Sequence, residues 1–125
     1  MIRIAGLQKG YSAQDEFVLL QHQGTMRSQL RGHVLMAESV LTGAPGSQFV
    51  FTDEIWVNSG QFVLLRSGVG TNGWRPSKDG SMVYFVHANA LRPLWSEAEL
   101  VHLHLLHVQH SYVERKEESV YVGAV

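Results

Sequence analysis

The stretch QFVLLR at residues 61–66 is the clearest strand signal in the chain. It follows the turn residues Asn58-Ser59-Gly60 and precedes a glycine-rich segment, and short apolar runs bounded by turn residues indicate strands. The pattern returns along the sequence, so we predict an all-β sandwich or barrel. The other short apolar segments are EFVLL at 16–20, LRGHVL at 30–35, QFVF at 48–51 and LVHLHL at 100–105.

Three finer expectations follow from these segments. The unbroken apolar run at 17–20 predicts a central strand covered on both faces. The alternation of apolar residues slips at Leu105-Leu106, which predicts a bulge or a tight turn there. The segment 67–80 contains Pro76 and several glycines and is predicted to be the longest irregular stretch.

The length of 125 residues predicts a single domain over 1–125, with a core over about 2–113 and a C-terminal extension at 114–125. Apolar residues make up 45% of the chain, which is enough for a core, whereas charged residues make up only 17%, below the usual value of about 25%. A surface that is poor in charge is typical of a module that packs against another molecule.

Charge and composition exclude several function classes. The net charge is −1 and the 10 basic residues are scattered, so nucleic-acid binding is not expected. The chain has no cysteine, which excludes disulfides, thiolate nucleophiles and cysteine-type zinc sites. We find no signal peptide and no apolar run of membrane-spanning length, so we expect no membrane insertion and, by default, a cytoplasmic location.

Four blocks of the sequence resemble the lamin-tail domain, an immunoglobulin-like β-sandwich found at the C-terminus of nuclear lamins. This resemblance implies an antiparallel immunoglobulin-like sandwich that serves as a binding or structural module and has no catalytic residues to carry over. The blocks are EFVLL at 16–20 followed by Gly24, LRGHVL at 30–35, FVF at 49–51 with the 58–60 turn and FVLLRS at 62–67, and LW at 94–95 with ELVHL at 99–103.

The function we expect is therefore non-enzymatic: a module that contacts a protein partner or associates with itself. Self-association through an edge strand is one route, and residues 120–122 would suit it. The sequence lacks G-x-S-x-G, H-E-x-x-H and P-loop motifs. The run GVGTNG at 68–73 matches G-x-G-x-x-G, but Pro76 and Gly80 oppose the helix that a dinucleotide site requires.

Histidine supports an alternative hypothesis, a small metal-binding protein or metal-dependent enzyme on a β scaffold. His102 and His104 share one face of a strand, so their imidazoles can converge on one Zn²⁺. His107 and His110 follow nearby, but no acidic residue lies at short spacing to complete a ligand set. The competing interpretation is a solvated polar face on an edge strand.

Tryptophan supports a third hypothesis, a carbohydrate-binding module. Trp74 lies in the predicted loop beside Arg75, where an exposed indole can stack on a sugar or anchor a partner. Trp56 and Trp95 are instead expected to plug the ends of the core. The ligand or partner contacts predicted on this hypothesis are Trp74 and Arg75.

Overall fold

The computed structural model describes residues 1–96 and 101–107, which form ten strands and one short 3₁₀ turn at Ala13–Asp15. The prediction of an all-β chain is confirmed. None of the described residues belongs to a helix long and apolar enough to cross a membrane. The strands are β1 (Ile2–Gln8), β2 (Phe17–His22), β3 (Ser28–Gln29), β4 (His33–Ser39), β5 (Pro45–Val50), β6 (Trp56–Val57), β7 (Phe62–Arg66), β8 (Gly73–Pro76), β9 (Met82–His87) and β10 (Val101–His107).

The largest sheet has five strands in the order β1-β2-β7-β9-β8. Its neighbours run antiparallel except β7 and β9, which run parallel, so the sheet is mixed and the expected all-antiparallel arrangement is wrong for this pair. The reason lies in β8, which forms within the segment predicted to be irregular. After β7 the chain forms β8 at the edge of the sheet, and β9 then lies between β7 and β8. Strand β9 runs antiparallel to β8 and parallel to β7.

A second sheet has three strands in the order β10-β4-β5, and β3 pairs with β6 in a separate short ladder. The predicted bulge at Leu105-Leu106 is wrong, because β10 pairs with β4 in continuous register from Val101 to His107. Leu106 instead points to the outer face, where it is 48% exposed. The register does shift between β4 and β5, close to Glu38, and within β1.

The inward faces of both sheets contribute to one hydrophobic core. Trp95 is almost completely buried there, which confirms its predicted role. The prediction for Trp56 is wrong: this indole is 47% exposed, and the Arg27 guanidinium lies 4.1 Å from its ring centroid. The most deeply buried apolar residues come from the two sheets, the β3–β6 ladder and the loops, and are Val18, Leu20, Leu30, Leu35, Phe51, Val57, Val63, Leu65 and Trp95.

A buried carboxylate fixes the loop that carries Trp95. Glu16 lies at the start of β2 with no exposed surface, and its oxygens accept hydrogen bonds from the backbone N–H groups of Leu94 and Trp95 at 2.7 and 3.0 Å. The hydroxyls of Ser67 and Ser96 donate to the same carboxylate. With four donors around it the carboxylate is fully satisfied, so Glu16 is a structural clamp between β2 and the 94–96 loop.

Candidate functional site

The outer face of the three-stranded sheet carries the two histidines predicted to bind metal, together with a glutamate. His102 lies opposite Glu38 in the β10–β4 ladder, and His104 lies two residues further along β10 on the same face. One potential ligand atom from each residue lies within 4.8 Å of the others. The structure therefore brings His102 and His104 together, as predicted, and adds a carboxylate to them.

The imidazole of His104 has an unsatisfied nitrogen inside this cluster. Its Nε2 atom is buried and has no hydrogen-bond partner, although it lies 3.4 Å from Oε1 of Glu38. The ring planes of His102 and His104 are nearly perpendicular, at 88°, with centroids 6.3 Å apart. The side chains of His104 and Glu38 remain 42% and 39% exposed, so the cluster is open to solvent while one of its nitrogens is shielded.

Glu38 is the site residue that sequence reasoning missed, because it is far from the histidines in sequence and approaches them only through strand pairing. An antiparallel alignment of the stretch HVLMAES at 33–39 with the histidine strand would have placed Glu38 opposite His102. His107 belongs to the other face of β10 and stacks on His33, with ring centroids 4.1 Å apart. The prediction for His110 falls outside the described residues.

Burial lowers the pKa of two other histidines, His33 and His87. His33 is 4% exposed, and burial lowers its pKa below the usual value, although its Nδ1–H donates to the Leu30 carbonyl at 2.9 Å. His87 is 7% exposed, and burial, reinforced by the charges of Arg75 and Arg66, lowers its pKa as well. These side chains are part of the packed structure.

The outer face of the five-stranded sheet is unexpectedly apolar. Six apolar residues of its three central strands point outward, and each of them is half-buried. The predicted central position of the strand over 17–20 is confirmed, since β2 lies between β1 and β7, and its outward residues Phe17 and Leu19 are half-buried while Val18 and Leu20 are fully buried. We call these six residues the outer apolar face: Phe17, Leu19, Phe62, Leu64, Val83 and Phe85.

Arginines border this face. The five strands of the sheet contain Arg3, Arg66 and Arg75 and no aspartate or glutamate, and the strand registers place all three arginines on the outer side. The guanidinium of Arg75 lies 4.7 Å from the centroid of Phe85, and that of Arg66 lies 5.8 Å from the centroid of Phe17. The outer side of the sheet is therefore both apolar and positively charged.

Trp74 and Arg75, the predicted ligand contacts, lie on edge strand β8 and point to opposite sides of the sheet. The Trp74 indole is 36% exposed and packs edge-on against Tyr84, with centroids 5.1 Å apart. Arg75 belongs to the border of the outer apolar face. The structure does not bring the two side chains into one site, because neighbouring residues of a strand face opposite ways.

The glycine-rich run 68–73 leads into a strand. Gly73 begins β8, where a dinucleotide site would need a helix N-terminus. Gly70 lies against the ring of His87, so close that a Cβ at this position would come within 2.3 Å of the imidazole. Because glycine has no Cβ, the loop can pack directly against His87, and this close contact explains why residue 70 is a glycine.

A polar network follows the same loop. The Tyr84 hydroxyl donates to Asp53 at 2.6 Å, and Asn72 donates to the same carboxylate oxygen at 2.9 Å. Burial, together with the Asp53 carboxylate that accepts its hydrogen bond, raises the pKa of Tyr84 to about 12. Tyr84 is therefore a protonated structural donor at neutral pH.

An open depression of about 410 Å³ lies between the 10–12 and 91–96 loops. Among the described residues it is lined by backbone, hydroxyl groups, apolar side chains and Arg92, with no carboxylate or imidazole.

No protein-family model matches the chain, and no curated protein sequence matches it significantly. The resemblance to the lamin-tail domain therefore remains a prediction.

Proposed function

We propose that the protein is a non-enzymatic interaction module whose outer apolar face binds an acidic, amphipathic segment of a partner protein. The observation that carries this proposal is the combination of six outward apolar side chains and three arginines on a sheet whose strands contain no carboxylate. Large apolar patches bordered by polar residues mark binding surfaces on soluble proteins. The low charged fraction of the chain, 17%, agrees with this role.

The arginines at the border of the outer apolar face favour a partner that carries carboxylates. Because the arginines have no acidic neighbour within the five strands, a partner that supplies carboxylates can form charge-assisted hydrogen bonds at the rim while its apolar residues cover the centre. A second copy of the same face fits less well, because it would bring both sets of arginines into one interface without a carboxylate. The sheet face therefore favours a different protein.

An acidic protein segment also fits better than a single-stranded nucleic acid. Bases bind such surfaces by stacking on aromatic rings. Here the centre of the face includes Leu19, Leu64 and Val83, and guanidinium groups lie over the rings of Phe17 and Phe85. Three arginines also provide few phosphate contacts compared with proteins that depend on them for affinity.

We also propose a more specific fold for the two sheets. We infer an immunoglobulin-like sandwich of lamin-tail type, supported by the shared core between the inward faces of a five-stranded and a three-stranded sheet. The parallel β7–β9 pair departs from an all-antiparallel sandwich. The edge-strand route to self-association through 120–122 lies outside the described residues.

Binding of designed peptides tests this function. One labelled peptide carries leucines on one face and glutamates beside them, and a matched peptide carries lysines in place of the glutamates. We expect fluorescence anisotropy to detect binding of the glutamate peptide alone, with weaker binding at high salt because of screening. Phe85→Ala and Leu64→Ala should each weaken binding by about tenfold or more, as expected for central anchor residues.

Leu106→Ala provides the control, because Leu106 is an exposed leucine on the other sheet and should leave peptide binding unchanged. Equal binding of both peptides, or full binding by Phe85→Ala, would contradict the proposal. Binding of an oligo-dT strand without binding of the glutamate peptide would assign the face to nucleic acid instead.

A further inference from the structure

We propose that Glu38, His102 and His104 form a binding site for one divalent transition-metal ion of the zinc class. The inference concerns the other sheet and does not depend on the proposed function. Two imidazoles and a carboxylate are a ligand set that suits Zn²⁺, which accepts histidine nitrogen and glutamate oxygen in a tetrahedral arrangement.

The distances suit this ion. With metal–ligand bonds of about 2.0–2.1 Å, tetrahedral ligands lie about 3.3 Å from one another. His104 Nε2 and Glu38 Oε1 are already 3.4 Å apart, and all three potential ligand atoms fall within 4.8 Å. Strand pairing fixes the backbone positions of the three residues on β4 and β10. Rotation of their partly exposed side chains can then bring the three ligand atoms to the separation that one metal ion requires.

The unsatisfied nitrogen of His104 is an independent reason to place a ligand here. A buried polar atom without a hydrogen bond is costly, and such atoms in folded proteins call for an explanation. Direct hydrogen bonding to Glu38 is not formed despite the short distance. A metal ion between the two groups would satisfy the nitrogen and neutralise the carboxylate together.

β10 is the edge strand of its sheet within the described residues, and the exposure of the three side chains gives the site an entry path and an open coordination position. His102 is exposed, and the other two ligand side chains are about 40% exposed. Three protein ligands leave a fourth position for water or an exogenous group, as in open zinc sites. The site can therefore bind the ion without unfolding of the sheet.

Metal titration of untagged, metal-free protein tests the proposal. We expect one Zn²⁺ per chain by elemental analysis after gel filtration, and a visible absorption band when Co²⁺ replaces it, because tetrahedral Co²⁺ absorbs strongly. Isothermal titration with Zn²⁺ should give a single site. Glu38→Gln and His104→Asn should each lower the affinity at least about 100-fold, since loss of outer-shell partners alone costs 10–100-fold.

His107→Gln is the matched control, because it removes a histidine from the same strand but from the opposite face. It should retain stoichiometric zinc and the cobalt band. Circular dichroism should show that all variants keep the β spectrum. The proposal is overturned if the wild type binds no zinc at micromolar concentration, or if Glu38→Gln and His104→Asn, folded like the wild type, bind zinc with unchanged affinity.

Discussion

Two glutamates of this protein have opposite environments. Glu16 is completely buried and accepts four hydrogen bonds, from two backbone N–H groups and two serine hydroxyls. Glu38 is 39% exposed and lies 3.4 Å from an imidazole nitrogen of His104 that forms no hydrogen bond. A carboxylate whose acceptor capacity is used inside the protein serves structure, whereas one that is partly free beside an unsatisfied group is available to a ligand.

The same contrast applies to leucine and histidine. Leu65 points into the core and its neighbour Leu64 points outward from the same strand. His33 and His87 are buried, while His102 and His104 lie on a solvent-accessible face. Each matched pair allows the structural and the functional role of one residue type to be separated experimentally.

The largest difference in the free energy of unfolding is expected between variants of the two glutamates. Glu16→Ala should lower the free energy of unfolding by about 3–5 kcal/mol, because it leaves buried donors without an acceptor. Glu38→Ala should change it by no more than about 0.5 kcal/mol, as for other exposed positions. Urea denaturation measures both values. Similar losses for the two variants would contradict the distinction between them.

The leucine pair on β7 should show the next effect. Leu65→Ala should lower the free energy of unfolding by about 2–5 kcal/mol, because it leaves a cavity in the core. Leu64→Ala removes a side chain that is only half-buried, and we expect a cost of about 1 kcal/mol or less. Denaturation of the two variants in the same buffer provides the comparison, and a reversed order would show that the outward face is covered.

The buried histidines should make stability depend on pH. Their folded-state pKa values lie below the unfolded value of about 6.5, so the unfolded chain binds more protons once the pH falls below it. The free energy of unfolding should therefore decrease as the pH is lowered from about 6.5, and remain unaffected by these groups at higher pH.

His87→Gln tests this assignment, because it should make the decrease between pH 6.5 and 5 shallower. Leu106→Ala, an exposed substitution that removes no titratable group, serves as the control and should leave the slope unchanged. Thermal melts at several pH values measure the effect. The account of His87 is wrong if its variant retains the full pH dependence of the wild type.

The sequence was sufficient for elements that depend on local pattern. Runs such as QFVLLR specify strands by themselves, and the shared face of His102 and His104 follows from the two-residue period of a strand. The parallel pair β7–β9 could not be predicted, because it depends on the position that β8 takes at the sheet edge. Glu38 was missed for a similar reason, since register between distant strands is set by the folded sheet.

Burial was predictable only in part. Trp95 was correctly assigned to the core, whereas Trp56 was not, because its exposed position depends on the two-residue ladder between β3 and β6. The apolar run at 17–20 indicates a strand but does not reveal whether a second layer covers its outer face. The half-buried outer apolar face is the basis of the proposed function.

The most direct test of the account is a nitrogen-15 NMR titration of the protein with the glutamate-containing amphipathic peptide. We predict that the amide signals that shift most belong to β2, β7 and β9, around Leu19, Leu64 and Phe85. The lysine-containing peptide should leave those signals in place. Shifts confined to another part of the molecule, or none at saturating peptide, would contradict the assignment of the outer apolar face as the binding surface.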